Sequence, residues 1–318
     1  MENTSLDFNI IAQKCLVGSD SNANIDTSEI VERLEGLKSD YTDIQIIVIY
    51  NHFLLTEHRP EVLKYLLRTL DKYRDSSSID AIKRLFQMKE HIEPYDEVDY
   101  TEVRILCIKA ISNFKDGSSV FMLLDALNDK NENYQIRLNC ADALGRLGDR
   151  YAVVPLIDIV SDESEKSIYI RESAATALGM LGDIRAADSL VSILETKNGL
   201  ADKFTYLKEK VIESLNKLTP NDDRAFKALK KALMDENPQV RIMAIEAIMN
   251  CEHRDSAELI KDMLKDTDEE VQKNAVIALY NLEGEKALLE IIENPDYSLH
   301  CKDEVQDILD SEVEDDDE

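Results

Sequence analysis

The sequence predicts an all-α protein, an α-solenoid formed by a superhelical stack of helical hairpins. Three observations predict this class. One helical phrase occurs twice, from Ile136 to Asp149 and again from Ile170 to Asp183. Apolar residues make up 44% of the 318 residues, which is enough for a large core. Gly (9) and Pro (6) are scarce, which is typical of helices with short connections. A repeat of this period is typical of stacked hairpins, because each hairpin buries its apolar face against its neighbours.

The same register recurs through residues 99–309. Counting from an apolar residue at offset 0, apolar or small side chains return at offsets +4, +7, +8 and +11. These offsets share one face of an α-helix, so each phrase predicts an amphipathic helix with one buried stripe. The residues at offset 0 are Val103, Ile136, Ile170, Leu207, Val240, Val271 and, in a truncated unit, Cys301. A shorter apolar stretch precedes most of these helices, so one unit is a hairpin with a first and a second helix. The glycine pairs Gly145/Gly148 and Gly179/Gly182 are predicted to end two second helices.

Four segments are predicted along the chain. Residues 1–24 form a flexible or docking N-terminal segment. Residues 25–98 form irregular helices, which are either degenerate repeats that serve as a cap or a small separate helical domain. Residues 99–309 carry the regular repeats. Residues 310–318 contain seven acids in nine positions, and this composition predicts a disordered acidic tail.

The net charge of −28 bears on the class of partner. A field of this sign repels phosphate backbones and anionic lipid, and it favours a basic protein or peptide. The alternative is that the acidity keeps a long helical surface soluble. No apolar run reaches the roughly 18 residues that a membrane span needs, and no signal peptide is evident. We therefore expect a soluble, cytoplasmic chain that binds protein, and neither nucleic acid nor membrane.

The repeated phrases, together with Val240 to Ile248 and Val271 to Leu279, resemble HEAT repeats, in particular the short HEAT-like type named after phycobilisome lyases. The resemblance covers about residues 99–309. It implies a structural ladder between repeats, formed by an acidic and a basic residue that flank the turn inside a hairpin, such as Asp235 and Arg241. By the same resemblance, Asp129 and Asp162 are the acids for the units of Arg137 and Arg171. The residues assigned to the ladder are Arg104, Arg137, Arg171, Asp235, Arg241 and Asp266.

No catalytic, cofactor-binding or metal-binding residue is predicted. The five cysteines are odd in number and lack CxxC spacing, which disfavours a disulfide framework or a zinc site. Four of them, Cys107, Cys140, Cys251 and Cys301, fall on core offsets and are predicted to be buried. The resemblance includes the di-iron deoxyhypusine hydroxylases, which use His-Glu dyads, but no histidine here is followed by glutamate.

In the resembled family the second helices line the concave surface. Their outward positions therefore provide the candidate partner-binding residues, namely Asp142, Glu213, Met243, Glu246, Ile277 and Tyr280. The alternative is that the apolar members belong to a wider core. The leading prediction is a non-catalytic protein-binding scaffold or adaptor for a basic protein or peptide. The resemblance also implies an alternative, an E/F-type bilin lyase or chaperone that acts on a phycobiliprotein-like client.

Overall fold

The computed structural model describes residues 6–16, 26–88, 99–195, 205–218, 222–251 and 253–315. Within these ranges the regular structure is eighteen α-helices and a few 3-10 turns, without a strand. The predicted all-α solenoid class is therefore confirmed. No helix in this part of the chain is long and apolar enough to cross a membrane. The chain divides into two compact units, residues 1–149 and residues 150–318.

Eight helices lie in the described residues of unit 1. In chain order they are α1 (Phe8–Leu16), α2 (Thr27–Asp40), α3 (Asp43–Thr56), α4 (Pro60–Tyr73), α5 (Ile79–Gln87), α6 (Thr101–Phe114), α7 (Val120–Asn128) and α8 (Tyr134–Leu147). From α3 onward the helices pair as hairpins, and the second helices α4, α6 and α8 pack side by side in one row. Helices α2 to α5, which precede the regular repeats, thus follow the same alternating order as the repeats.

The described part of unit 2 contains ten helices in five hairpins. They are α9 (Val153–Ser161), α10 (Ile168–Leu181), α11 (Ala187–Glu195), α12 (Thr205–Leu218), α13 (Asp223–Ala232), α14 (Pro238–Asn250), α15 (Ser256–Met263), α16 (Glu269–Glu283), α17 (Glu285–Glu293) and α18 (Leu299–Asp315). The second helices α10, α12, α14, α16 and α18 form a continuous row in which each contacts the next. The first helix of each hairpin covers the side of this row that carries the buried stripe.

The core follows the predicted register. Offsets 0, +4, +7 and +8 are buried in all six full units. Offset +11 varies, since Cys251 is buried whereas Leu282 is 38% exposed. Offset +5 is also buried, which the sequence template missed, because a second helix must contact both its own first helix and the neighbouring second helices. The residues at offset +5 are Ile108, Ala141, Ala175, Ile212, Ile245 and Val276.

The two glycines of each pair have different roles. The prediction that both end a helix is wrong for Gly145 and Gly179. Gly148 and Gly182 end α8 and α10 with positive φ angles of 74° and 65°. Gly145 and Gly179 instead lie buried inside the last turns of those helices. A Cβ on Gly179 would lie 3.1 Å from the Ser214 Cα, so this glycine allows α10 and α12 to pack closely.

Short polar side chains fix the starts of several helices. The Asn133 and Asn237 side chains each accept a hydrogen bond from the backbone N–H two residues later, at the starts of α8 and α14. The Asp222 and Asp268 side chains each accept two such bonds at the starts of α13 and α16. These caps satisfy N–H groups that a helix cannot pair internally.

The two ends of the described chain are helical. Helix α1 docks on α2 and α3, where Phe8 stacks on His52 with ring centroids 4.4 Å apart and Arg33 donates a hydrogen bond to the Lys14 carbonyl. Residues 1–5 and 17–24 of the N-terminal segment lie outside the described residues. Helix α18 continues to Asp315, so most of the segment expected to be a disordered acidic tail is helical. Residues 316–318 lie outside the described residues.

Candidate partner-binding face

The second helices turn one face away from the core. Because offsets 0, +4, +5, +7 and +8 are buried, offsets +2, +3 and +6 lie on the opposite side of the helix. Offset +9 borders this side and is buried in α6, α8 and α10 but half-buried in α12, α14 and α16. We call this surface the second-helix face and describe it separately in unit 1 and unit 2. All six predicted partner-binding residues fall on it, with Asp142 in unit 1 and the other five in unit 2.

In unit 2, α14 and α16 present apolar side chains on the second-helix face. Met243 and Tyr280 pack against the core while staying half-buried, and Ile277 is half-buried as well. Ile242 and Met249 extend this apolar set in the same way. These residues therefore widen the core and also leave apolar surface accessible, so the two interpretations of their role are compatible.

The predicted acidic residues differ in their environment. Glu213 accepts from Lys210 at 3.0 Å and from Lys217 at 2.7 Å, and these hydrogen bonds hold its pKa below the ordinary value. Asp142 pairs with Arg146 at 2.9 Å. Glu246 is exposed and forms no ion pair with any described residue. Of the three carboxylates, Glu246 is the one that can accept a cation without losing an existing partner.

Two further carboxylates on the face were missed from the sequence. Glu172 on α10 and Glu209 on α12 occupy offset +2 in consecutive units. Glu172 is only 7% exposed, and burial raises the pKa of both groups, although the nearby Lys210 opposes this shift. Both could have been identified from the sequence, because an acidic residue occurs at the same offset in adjacent repeats. Tyr169 and Tyr206, at 61% and 54% exposure, lie one position before offset 0 on the same two helices.

In unit 1 the second-helix face forms a groove across α4, α6 and α8, with a volume of about 570 Å³. Helix α4 fits the repeat register when Val62 is placed at offset 0, because Leu66, Thr69 and Leu70 are then buried at +4, +7 and +8. In this register Arg68 occupies offset +6, the same offset as Lys109 and Asp142.

Buried ion pairs join successive hairpins within each unit. Arg104 holds Glu132 with two hydrogen bonds of 2.9 and 2.6 Å. Arg241 holds Asp266 in the same way, and Lys208 donates to Asp235 at 2.6 Å. Each basic residue lies at offset +1 of a second helix and reaches the turn inside the next hairpin.

Asp235 and Arg241, which flank one turn, thus each form their charged contacts with a neighbouring hairpin. Arg241 donates to the backbone carbonyl of Asp235 at 2.9 Å, while its two bonds to a carboxylate go to Asp266. The arginine side chain is long enough to reach the next hairpin, so the acid of its own turn serves the preceding unit. In the next unit Gln272 donates to the Asp266 carbonyl at 2.6 Å and so replaces that backbone contact of the arginine.

The Nε atoms of the remaining ladder arginines bind carbonyls at the ends of their own first helices. Arg137 donates to the Leu127 carbonyl and Arg171 to the Val160 carbonyl, both at 2.8 Å. The carboxylates of Asp129 and Asp162, assigned to these arginines, accept backbone N–H groups of their own turns. Arg171 Nη1 is buried without a hydrogen-bond partner among the described residues, and residues 196–204, which precede α12, lie outside them.

The family model for HEAT repeats matches residues 97–168, 123–201 and 226–299, which together span more than half of the chain. The chain is a HEAT-repeat protein. The comparison with curated proteins gave no match.

Several solved structures resemble this HEAT-repeat protein. The complex of CpcE and CpcF of phycocyanin lyase from Nostoc sp. PCC7120 is 23% identical with a TM-score of 0.43, covering 72% of this chain and 94% of that one. Human deoxyhypusine hydroxylase is 19% identical with a TM-score of 0.36, covering 87% and 96%. A mutant of the karyopherin Kap121p is 10% identical with a TM-score of 0.56, covering 96% of this chain and 38% of that one. The last likeness supports the solenoid fold.

The thiols of this HEAT-repeat protein are core side chains. All five cysteines are buried and unpaired by disulfides. Burial raises the pKa of Cys15, Cys107, Cys140 and Cys251, and a protonated thiol is a poor nucleophile. Among the described residues no cluster of three or more His, Cys, Asp or Glu side chains could hold a metal ion.

Proposed function

We propose that this HEAT-repeat chain is a non-catalytic protein-binding scaffold that holds a partner along the second-helix face of unit 2. The observation that carries the proposal is the half-buried apolar set of α14 and α16, which includes Met243, Ile277 and Tyr280, beside the exposed Glu246. An accessible apolar patch with polar neighbours is typical of a protein-interaction surface.

The charges of this face favour a basic segment as the partner. Glu246 has no ion-pair partner among the described residues, and burial raises the pKa of Glu172 and Glu209. A lysine or arginine of a partner would stabilise the ionised forms of these carboxylates. Glu213 is less suited to this role, because Lys210 and Lys217 already pair with it. We therefore propose a basic, amphipathic segment whose apolar side chains contact α14 and α16.

The experiment is a pull-down from native lysate with the intact chain and two charge-reversal variants, washed at low and at high salt. Glu246→Lys places a cation on the second-helix face. Glu293→Lys is the matched control, because Glu293 is an exposed acid in the last turn of the first helix α17, where a cation is tolerated. The proposal expects a protein that wild type and Glu293→Lys retain and Glu246→Lys loses.

Two outcomes would contradict this proposal. Equal retention by all three chains would place the contact elsewhere on the surface. If the captured protein lacks basic segments and Glu246→Lys retains it as well as wild type does, the face does not select for basic segments.

The bilin-lyase or chaperone alternative stays a prediction that rests on the sequence resemblance. A bilin complex absorbs visible light, so the absorption spectrum of the same eluate tests it directly. A visible band that copurifies with the captured client would replace the plain scaffold with this alternative.

A further inference from the structure

We propose that the unit 1 groove is a second docking site and that it binds an acidic segment of a partner protein, with carboxylates alternating with apolar side chains. This site lies in a different unit from the one under Proposed function and has the opposite charge preference. The two proposals therefore stand or fall independently.

The groove runs across three successive second helices, α4, α6 and α8. Lys64 and Arg68 come from α4, Ile105 and Lys109 from α6, and Leu138 from α8. They occupy offsets +2 and +6 on α4 and α6 and offset +2 on α8, so equivalent positions of consecutive hairpins form one continuous surface. Its volume of about 570 Å³ lies within the range of pockets that hold small ligands or a few side chains.

Two of its cations are available to a ligand. Lys64 is engaged, because its Nζ lies 2.5 Å from Glu61 and 2.7 Å from Glu102, and these hydrogen bonds raise its pKa. Arg68 and Lys109 are exposed and make no ion pair with any residue that the structure describes. A chain of net charge −28 thus presents two exposed cations without a direct ion pair within a single groove, whose lining also includes Glu102.

The apolar part of the lining favours a peptide over a nucleic acid as the ligand of the groove. Ile105, Leu106 and Leu138 are half-buried, so the groove floor can take aliphatic side chains. Tyr134, at 55% exposure, is the one aromatic residue of the lining. A nucleic acid would extend past the groove into the acidic field of the surrounding surface. At physiological ionic strength the Debye length is about 8 Å, so a short peptide responds mainly to the local cations.

The experiment measures the fluorescence anisotropy of a short labelled peptide that alternates Glu with Leu, titrated with the full chain. Its counterparts carry Gln or Lys in place of Glu, and a labelled single-stranded oligonucleotide is the fourth probe. We expect saturable binding of the Glu peptide alone. The double variant Arg68→Glu/Lys109→Glu should weaken this binding about tenfold or more.

Matched variants separate the groove from the rest of the surface. Arg84→Glu changes an exposed cation on the first helix α5 and should leave the affinity unchanged. Glu246→Lys in unit 2 should also leave it unchanged. Arg68→Gln/Lys109→Gln removes the two charges without reversing them. If Arg68→Glu/Lys109→Glu loses its helical circular dichroism, the glutamine variant tests whether the two cations are needed for binding.

Three results would overturn the proposal. The Gln peptide could bind as tightly as the Glu peptide, which would show that carboxylates are not recognised. The oligonucleotide could bind more tightly than the Glu peptide and depend on Arg68 and Lys109, which would make the groove a phosphate site. Arg84→Glu could weaken the Glu peptide as much as the groove variants do, which would show a general charge effect.

Discussion

Arg241 and Asp266 form a two-point ion pair that joins α14 to the turn before α16. The Arg241 Nη2 lies 2.6 Å from Asp266 Oδ1 and its Nε lies 2.8 Å from Oδ2, with both side chains about nine-tenths buried. The remaining Nη1 donates to the backbone carbonyls of Asp235 and Glu236. One guanidinium therefore connects the turns of two consecutive hairpins.

Arg241→Ala should destabilise the protein by about 2–4 kcal/mol, because it leaves the buried Asp266 carboxylate without its cation. The measurement is urea unfolding followed by circular dichroism. Arg254→Ala is the control, since this side chain is 90% exposed and, within the described part of the chain, pairs with the adjacent Asp255 alone, so its effect should stay below about 0.5 kcal/mol. Equal midpoints for the two variants would show that the Arg241 pair adds no stability.

Gly179→Ala and Gly36→Ala should change stability in opposite directions. A Cβ on Gly179 would meet the Ser214 backbone at 3.1 Å, so we expect a loss of about 1–3 kcal/mol from forcing α10 and α12 apart. Gly36 lies exposed inside α2 with no atom near its Cβ position, so alanine there should gain about 0.5–1 kcal/mol. Thermal unfolding of both variants checks this pair. A stabilised Gly179→Ala would contradict the close packing of the two helices.

Glu172→Gln should stabilise the protein at pH 7 more than at pH 4. Burial raises the folded-state pKa of Glu172 above its ordinary value of 4.5, so the folded state binds the proton more tightly than the unfolded chain. The contribution of Glu172 to the stability of the wild type therefore falls as the pH rises above 4.5, and the glutamine variant does not share this loss. Urea unfolding at the two pH values measures the difference, with Glu293→Gln as the exposed control. A constant difference across this pH range would contradict the burial argument.

The cysteines should react slowly with a thiol reagent in the native protein. All five are buried, and the raised pKa of four of them lowers the thiolate fraction further. A colorimetric thiol assay at about pH 8 should detect five thiols in urea and close to none without it. Rapid native reaction of Cys140, identified by mass spectrometry, would show that the core near α8 opens.

The repeat register could be predicted from the sequence, but the partners of the charged side chains could not. Helix periodicity placed residues such as Val240 and Ala244 in the core, because burial at these offsets depends on local pattern alone. The acceptor of Arg241 depends on side-chain reach across a hairpin, which spacing does not specify. The unit 1 groove was missed because α4 departs from the repeat phrase, so the alignment of Arg68 with Lys109 becomes evident only when Val62 is known to be buried.

Site-specific photo-crosslinking tests most directly whether partners contact the second-helix face. A benzophenone amino acid replaces either Ile277, half-buried on α16, or Ile292, which is 39% exposed on the first helix α17. Each full-length chain is irradiated in native lysate at about 0.15 M salt. We predict a discrete adduct from position 277 and none from position 292. An adduct from position 292 alone, or equal adducts from both, would contradict the account.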